Sequence, residues 1–349
     1  MTSLTPAERE LVYSLRYEKN ADWSSIYDRF PHHLESSLRH AVYRERDRRG
    51  FTHEGVPTPR IEGVSLAEGD AVDEAEIWRL ALQKSEKRRV LEERRQRAII
   101  TFERGPVCLV FMADEHAGST GTDYARIDQN IQTINDTPGM FVVQVGDIVD
   151  NFIVGRLQAV RFGAEFSIDQ EWVLAKRVLK LMAPKLLASV GGNHDLWTWG
   201  LTGIDYLKEI HKKINPDILY AKYDLPFILS VGGSEFRVRV RHSWKGSSIY
   251  NPTHGIEVAA KFDAGRPFDI GVGAHTHTAG ICRPFVNGGK DSLAILCGTY
   301  KRIDDFPERH GFPMANRSAA VAVIIDEHGV WGTNILERAA DYMRTMYRD

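Results

Sequence analysis

The chain is short of cysteine, of net charge and of long apolar runs, and each shortage narrows what it can be. Its three cysteines, Cys108, Cys282 and Cys297, are odd in number and make no CxxC spacing. Disulfide frameworks and thiolate zinc sites need paired or closely spaced thiols, so neither is expected. The expectation is buried, reduced thiols in a cytoplasmic protein. The formal charge is −2, from 45 basic and 47 acidic residues, so overall charge gives no ground for binding nucleic acid or a membrane. No run approaches the ~20 apolar residues that a spanning helix needs. The opening MTSLTPAERE lacks an apolar signal core, so export is not expected. Internal repeats and low-complexity segments are not visible.

What is present is enough chain, 349 residues, for two domains or one large domain with an appendage. Three short helical patterns come first. Thr5, Pro6 and Glu8 form a capping box with proline in the first turn, followed by Leu11 and Leu15 at helical spacing. A second pattern runs from Asp22 to Phe30, with Trp23, Ile26 and Phe30 as its stripe and Pro31 as its stop. The third runs from about His32 to Arg49, with Leu34, Leu38 and Val42 inward and Gly50 beyond it. This segment resembles helix-turn-helix or Myb-type modules. Arg39, Arg44, Arg46, Arg48 and Arg49 could then face DNA phosphates. The other reading is a packing or protein-binding bundle with a solvated arginine face.

Residues 51–70, rich in Gly and Pro, read as a linker, and 71–98 read as a charged, solvated helix with i,i+4 ion pairs. From about residue 98 the pattern changes. VCLVFMAD, FVVQVGD, LLASVGG, FRVRVRH, IGVGAHT, LAILCGT and AAVAVII read as strands, with helical patterns near 121–136, 167–183 and 201–213. Alternation of this kind implies an α/β (α+β) domain over 99–349, after a trihelical domain at 1–50 and a connecting stretch at 51–98.

The ends of those strands carry the chemistry. The runs close in Asp114-Glu115-His116, in Gly146-Asp147-Ile148-Val149-Asp150, in Gly192-Asn193-His194-Asp195, at His242, and in His275-Thr276-His277. Ligand sites of α/β sheets lie outside the carboxyl ends of the strands, so these groups would meet at one edge. Two divalent cations about 3.5–4 Å apart need a shared anionic ligand. Asp147 is placed to supply it. Imidazoles mixed with carboxylates suit Mn, Fe or Zn rather than Ca or Mg. A His-x-His pair on an extended segment would point both rings to one side.

These five motifs, DEH, GDIVD, GNHD, a lone His and AHTH, resemble those of the calcineurin-like metallophosphoesterases over residues 106–330. The resemblance implies a two-sheet β-sandwich flanked by helices. It implies one cation on Asp114, His116, Asp147 and His277, and a second on Asp147, Asn193, His242 and His275. Manganese is favoured, with Fe, Zn or Ni as alternatives. It further implies a bridging hydroxide that attacks a phosphate ester, with His194 as general acid and Asp195 orienting its ring. Glu115 stands where the family has an uncharged residue; on a strand it would point away, with no effect expected.

The activity expected is a phosphodiesterase or nuclease acting on nucleic acid. Asn151 after GDIVD and the GNHD form set the chain apart from protein phosphatases. Trp197, Trp199, Trp244 and Tyr250 could stack bases or simply pack, and Lys245 and Arg302 could contact phosphate. SSIYNPTHG, with Tyr250, Asn251 and His254, reads as a turn beside the site. The alternatives are a phosphomonoesterase or small cyclic-nucleotide phosphodiesterase with a protein-binding N-terminal module, a DNA-binding regulator, or a non-catalytic scaffold.

Overall fold

The computed structural model describes residues 4–49, 73–96, 98–153, 164–246, 248, 250–263, 265–278, 280–302, 319–326 and 329–348. The chain divides into two compact units, Met1–Ile77 and Trp78–Asp349. The Gly- and Pro-rich stretch 51–70 and Gly50 lie outside the described residues.

In the first unit α1 spans Pro6–Tyr13 and carries the capping box, with Thr5 N donating to Glu8 Oε2 at 2.7 Å. A π-helical turn, Ser14–Glu18, follows. Helix α2 spans Trp23–Arg29 under an Asp22 cap, and α3 spans Glu35–Arg48. Val12, Tyr13, Leu15, Ile26, Phe30, Leu38, Ala41 and Val42 form the core, with Trp23 packed against it. Two expected core positions are solvent-exposed instead, Leu11 at 39% and Leu34 at 50%. The α-helical period linking Leu11 to Leu15 is interrupted by the wider π turn, which gives Val12 the inward position. Leu34 precedes α3 and so does not share its period.

The second unit begins in the long helix α4, Glu74–Gln96, whose exposed face is laced by Arg89 pairing with Glu86 at 2.7 Å and Glu93 at 2.5 Å. Then come β1 (Ile99–Phe102), β2 (Val107–Met112), α5 (Tyr124–Asn135), β3 (Met140–Gln144), α6 (Ile168–Met182), β4 (Leu186–Val190), α7 (Asn193–Thr202), α8 (Tyr206–Ile214), β5 (Leu219–Ala221), β6 (Leu225–Val231) and β7 (Ser234–Val240). The remainder is α9 (His254–Phe262), β8 (Ile270–Gly273), β9 (Ile281–Asn287), β10 (Lys290–Leu296), β11 (Val321–Asp326), β12 (Gly329–Thr333) and α10 (Leu336–Met346). The single helical pattern read over 201–213 is in fact α7 and α8. They are separated at Gly203, whose φ of 75° closes α7 in the left-handed conformation that glycine adopts without strain.

The strands form two six-stranded mixed sheets, ordered β1-β6-β7-β8-β10-β9 and β12-β11-β2-β3-β4-β5. Strand β2 shows why they stack. Its alternate residues Val107, Leu109 and Phe111 join Leu225, Phe227, Val238, Ile270 and Ile295 in one apolar layer between the sheets. The intervening Cys108, Val110 and Met112 pack on the other face against Ile127 and Ile131 of α5, Leu179 of α6 and Met343 of α10. A strand covered on both faces needs apolar residues at every position, and that is why VCLVFM reads as an unbroken run. Strands β2, β3 and β4 run parallel in one sheet, and β7 and β8 in the other. Their carboxyl ends thus open towards one edge of the sandwich. Among the described residues no helix is long and apolar enough to cross a membrane.

Candidate metal centre

The turns that leave these strands are conformationally costly. Asp114, His116, Asp147, His275 and His277 hold φ values of 53°, 46°, 54°, 76° and 51°. Left-handed backbone costs an L-residue roughly 1–2 kcal/mol, and it persists where the surroundings dictate it. Here they do. Asp114 N donates to Gly146 O and His116 N to Asp147 O, while His275 N donates to Asp114 Oδ2 at 3.0 Å. A Cβ on Gly192 would stand 2.1 Å from Asp147 Oδ1, so glycine is obligatory where the two loops touch. The His-x-His segment is therefore not extended, as the period-two expectation assumed. With a left-handed turn at both histidines, His277 lies within reach of Asp114 and the exposed His275 within reach of Asp147.

The side chains converge. His116 Nε2 lies 3.0 Å from His277 Nε2, and the two lie 3.8 Å and 3.4 Å from Asp114 Oδ1. His242 Nε2 lies 3.0 Å from Asp147 Oδ2 and 3.9 Å from Asp114 Oδ1. Asp114, His116 and His277 form one group able to hold a cation; Asp147, His242 and His275 form another. Asn193 opens α7 one residue before His194, whose N–H donates to Asp147 Oδ1 at 2.9 Å. Asp114 Oδ1 is buried without a hydrogen-bond partner, an arrangement that a cation would satisfy. This donor set of imidazoles and carboxylates fits two transition-metal cations.

Outer contacts fix which ring nitrogen faces the centre. His242 Nδ1 donates to Val145 O at 2.8 Å, His116 Nδ1 to Asp150 Oδ1 at 3.0 Å, and His194 Nδ1 to Asp150 O. An oxygen acceptor of this kind fixes a hydrogen on Nδ1, so Nε2 is the nitrogen left to meet a cation in His116 and His242, and to take up or give a proton in His194. Burial lowers the His116 pKa to about 4, despite its bond to Asp150. Burial also opposes charge on His242, yet Asp147 and Asp114 raise its pKa to about 10. Burial would raise Asp150, but His116 and Lys301 hold it down at about 2.

Two expectations are corrected. Asp195 does not touch the His194 ring. Its carboxylate accepts the backbone N–H of Asp147, Ile148, Val149 and Gly192 at 2.8, 3.1, 3.3 and 2.9 Å, clamping the GDIVD loop onto the GNHD loop. His194 takes its partner from the Asp150 carbonyl because that is what its Nδ1 reaches. Glu115, in turn, lies in the loop after β2 rather than on a strand, and is fully buried. It accepts from Gln144 Nε2 at 3.1 Å, and burial raises its pKa to about 8.

The other candidates divide. Trp197 is half-buried with its ring 4.0 Å from that of His194, and Phe152 packs 4.8 Å from the same imidazole. Trp199 lies under Lys222, and Trp244 donates to Val272 O at 2.8 Å, so both are held by packing. Lys245 is exposed, and Tyr250 is 96% exposed. Arg302 is exposed and pairs with Asp123 Oδ2 at 2.6 Å. Asn151 Nδ2 donates to His194 O at 2.6 Å, and Asn251 and Thr253 both donate to Glu257 at the start of α9. Lys301, which no motif signals, donates to Asp150 Oδ1 at 3.0 Å.

No family model and no curated sequence matches the chain. Among solved structures it shows partial likeness to the NAD nucleotidase of Haemophilus influenzae, at 11% identity and a TM-score of 0.37. That alignment covers 66% of this chain and spans only half of the nucleotidase, 50%. The calcineurin-like phosphoesterase YfkN of Bacillus subtilis gives 10% identity and a TM-score of 0.34, covering 70% of this chain and 99% of that one. The nuclease MPE of Pseudomonas putida gives 14% identity and 0.29, covering 64% and 87%.

Proposed function

We propose that the chain is a metal-dependent phosphoric ester hydrolase of the calcineurin-like type, acting on phosphodiesters of nucleic acid. The observation that carries this is the convergence of His116, His277, His242, Asp114 and Asp147, with two of the imidazoles presenting Nε2 because their Nδ1 is already engaged. Asp114, His116, Asp147 and His277 would hold one cation, and Asp147, Asn193, His242 and His275 the other. When bound, a pair of divalent cations, proposed as manganese, supplies Lewis acidity that activates water and offsets phosphoryl charge.

The chain's own residues do the rest. His194, with Nδ1 pinned on Asp150, can hold a transferable proton only at Nε2, which lies 3.9 Å from Asp147 Oδ2. From there it donates to the departing oxygen as general acid. Asp195 keeps Asp147 and the GNHD loop in register. Trp197 and Phe152 wall the imidazole and keep bulk water from it. The nucleic-acid part of the proposal is supported by Trp197 beside the acid and by exposed Tyr250 and Lys245. Arg302 has an exposed side chain but is already paired at 2.6 Å with the largely buried Asp123 carboxylate, so a phosphate would have to compete with that pair.

The first unit supports a different role from a DNA reader. Arg39 lies over Trp23, and Arg49 ties Glu45 to Glu10 and Glu18. Arg48 pairs with Glu45, and Arg46 lies over Tyr43. Arginines engaged this way favour a partner-binding bundle over a recognition helix.

The test is a panel of bis(p-nitrophenyl) phosphate, p-nitrophenyl phosphate, single-stranded DNA and duplex DNA, run on manganese-loaded protein. Diester and DNA cleavage that disappears in Asp147→Asn is expected. Cleavage of monoester alone would overturn the nucleic-acid reading, and activity retained in Asp147→Asn would overturn the centre itself.

A further inference from the structure

Lys301 sits on a short segment keyed to the centre by its backbone. Tyr300 N donates to Asp114 O at 3.1 Å, Thr299 Oγ1 to the same oxygen at 3.1 Å, and Lys301 N to Thr299 Oγ1 at 3.0 Å. An isolated bridge pairs Lys301 with Thr122, whose hydroxyl donates to His116 O at 2.7 Å. The lysine is 5% exposed, and a buried ammonium is costly unless an anion meets it. Asp150 does so, through the one oxygen that also accepts His116 Nδ1, each at 3.0 Å. The Asp150 carbonyl accepts from His194 Nδ1. Lys301 Nζ also stands 5.3 Å from the centre of the Phe152 ring, which packs on His194.

We propose that Lys301 is a positioning residue of this centre, acting through Asp150 on two imidazoles at once, the ligand His116 and the acid His194. The proposal rests on the phosphoesterase reading above. Asp150 alone could rotate its carboxylate away from His116, since a single hydrogen bond leaves the torsion free. The buried ammonium fixes that carboxylate from a second direction, so the His116 ring is held with Nε2 towards Asp114. Because the same residue's carbonyl orients His194, the lysine couples the hold on a cation to the orientation of the acid. Outer partners of a ligand histidine are worth about 10- to 100-fold in metal affinity or activity.

The experiment compares full-length wild type, Lys301→Met and Lys301→Arg in three measurements. These are cobalt affinity by chelator competition with the visible spectrum as readout, kcat and KM on bis(p-nitrophenyl) phosphate, and thermal midpoint. In Lys301→Met we expect cobalt affinity and kcat each to fall by about 10- to 100-fold, with KM within about twofold of wild type. Lys301→Arg, which keeps the cation, should regain most of both. Unchanged cobalt affinity and kcat in the folded Met variant overturn the proposal. So does a lowered thermal midpoint with intact kcat, or an equal loss in the folded Arg variant. If the Met variant does not fold, the Arg variant and Asp150→Asn decide: near-normal affinity in the first with a loss in the second is expected, and any other pairing overturns it. A wild type that binds no cobalt and cleaves no ester refutes the phosphoesterase reading itself, and this proposal with it. An active wild type beside an indifferent Met variant refutes the proposal alone.

Discussion

His116 Nε2 and His277 Nε2 face each other at 3.0 Å although 161 residues separate them in the chain. His116 presents a lone pair at Nε2 because its Nδ1 is bonded to Asp150, so the contact is satisfied by a proton on His277 Nε2 or by a cation held between the two rings. Asp114 Oδ1, 3.4 Å from His277 Nε2 and 3.8 Å from His116 Nε2, completes the third side. Replacing His277 with Ala should weaken binding of one divalent cation by about 10-fold or more and leave the other near wild type. Calorimetric titration with manganese would show one of two binding steps lost. Two undisturbed steps would remove His277 from the centre.

The His242 pKa, raised to about 10 by Asp147 and Asp114, makes cation binding compete with a proton. A histidine must be neutral to ligate, so affinity for the cation it helps to hold should rise as pH rises, up to tenfold per unit below about pH 10. Stability of the metal-free protein runs the other way. The folded-state pKa lies above the ordinary 6.5, so this increment is fully present below pH 6.5 and is lost as pH rises through about 10. Manganese affinity that does not change between pH 6.5 and 8.5 would contradict the assignment.

Asp195 offers a separate handle, because its carboxylate takes four backbone N–H groups and no imidazole. Asp195→Ala leaves those buried donors without an acceptor and should cost about 2–4 kcal/mol. It should also abolish most turnover by releasing Asp147. Asp195→Asn, which can still accept from some of them, should be milder. A role confined to orienting His194 predicts instead full stability in both variants, and chemical denaturation separates the two outcomes.

His194→Ala is expected to spare substrates with good leaving groups. A p-nitrophenolate departs without a proton, whereas a deoxyribose or simple alkyl alkoxide requires one. The loss should be about 10²-fold or more on DNA or an alkyl phosphodiester, and much smaller on bis(p-nitrophenyl) phosphate. Equal losses on both would assign the imidazole a role other than proton donor.

Away from the centre, Asp224 is the hub of a charge cluster. It accepts from Arg239 Nε and Nη2 at 2.9 and 2.8 Å and from Arg266 Nη1 at 2.7 Å. Arg239 is 3% exposed and keeps a single carboxylate partner, Asp263, beside the Arg266 carbonyl and the Trp244 ring, if Asp224 is lost. Asp224→Asn should therefore destabilise the fold by about 3 kcal/mol at neutral pH. Burial opposes the Asp224 charge, but the arginines hold its pKa below the ordinary 3.8. The increment is thus present above about pH 3.8 and lost as pH falls through the lower folded-state value. Urea midpoints of variant and wild type should differ at pH 7 and draw together towards pH 3.

Some of this protein is written locally and some is not. Thr5, Pro6 and Glu8 specify the start of α1 because capping is settled within one turn of chain. The unbroken apolar runs of β2 and β8 announce strands buried on both faces, because burial leaves no room for alternation. The motifs at strand ends likewise place the centre's residue types in order along the chain. Contacts between distant segments follow other rules. Leu34 and Leu11 are apolar yet exposed, since helix boundaries and a π turn decide which face is inward. That Asp195 clamps backbone instead of His194, that Asp150 serves two imidazoles, and that Lys301 reaches it across 151 residues depend on two sheets stacking and bringing their loops together. The sequence by itself determined which chemical groups stand at the strand ends. Only the tertiary structure decided which of them touch, because hydrogen bonds and charge pairs act over a few ångströms, whereas the chain sets order and not proximity.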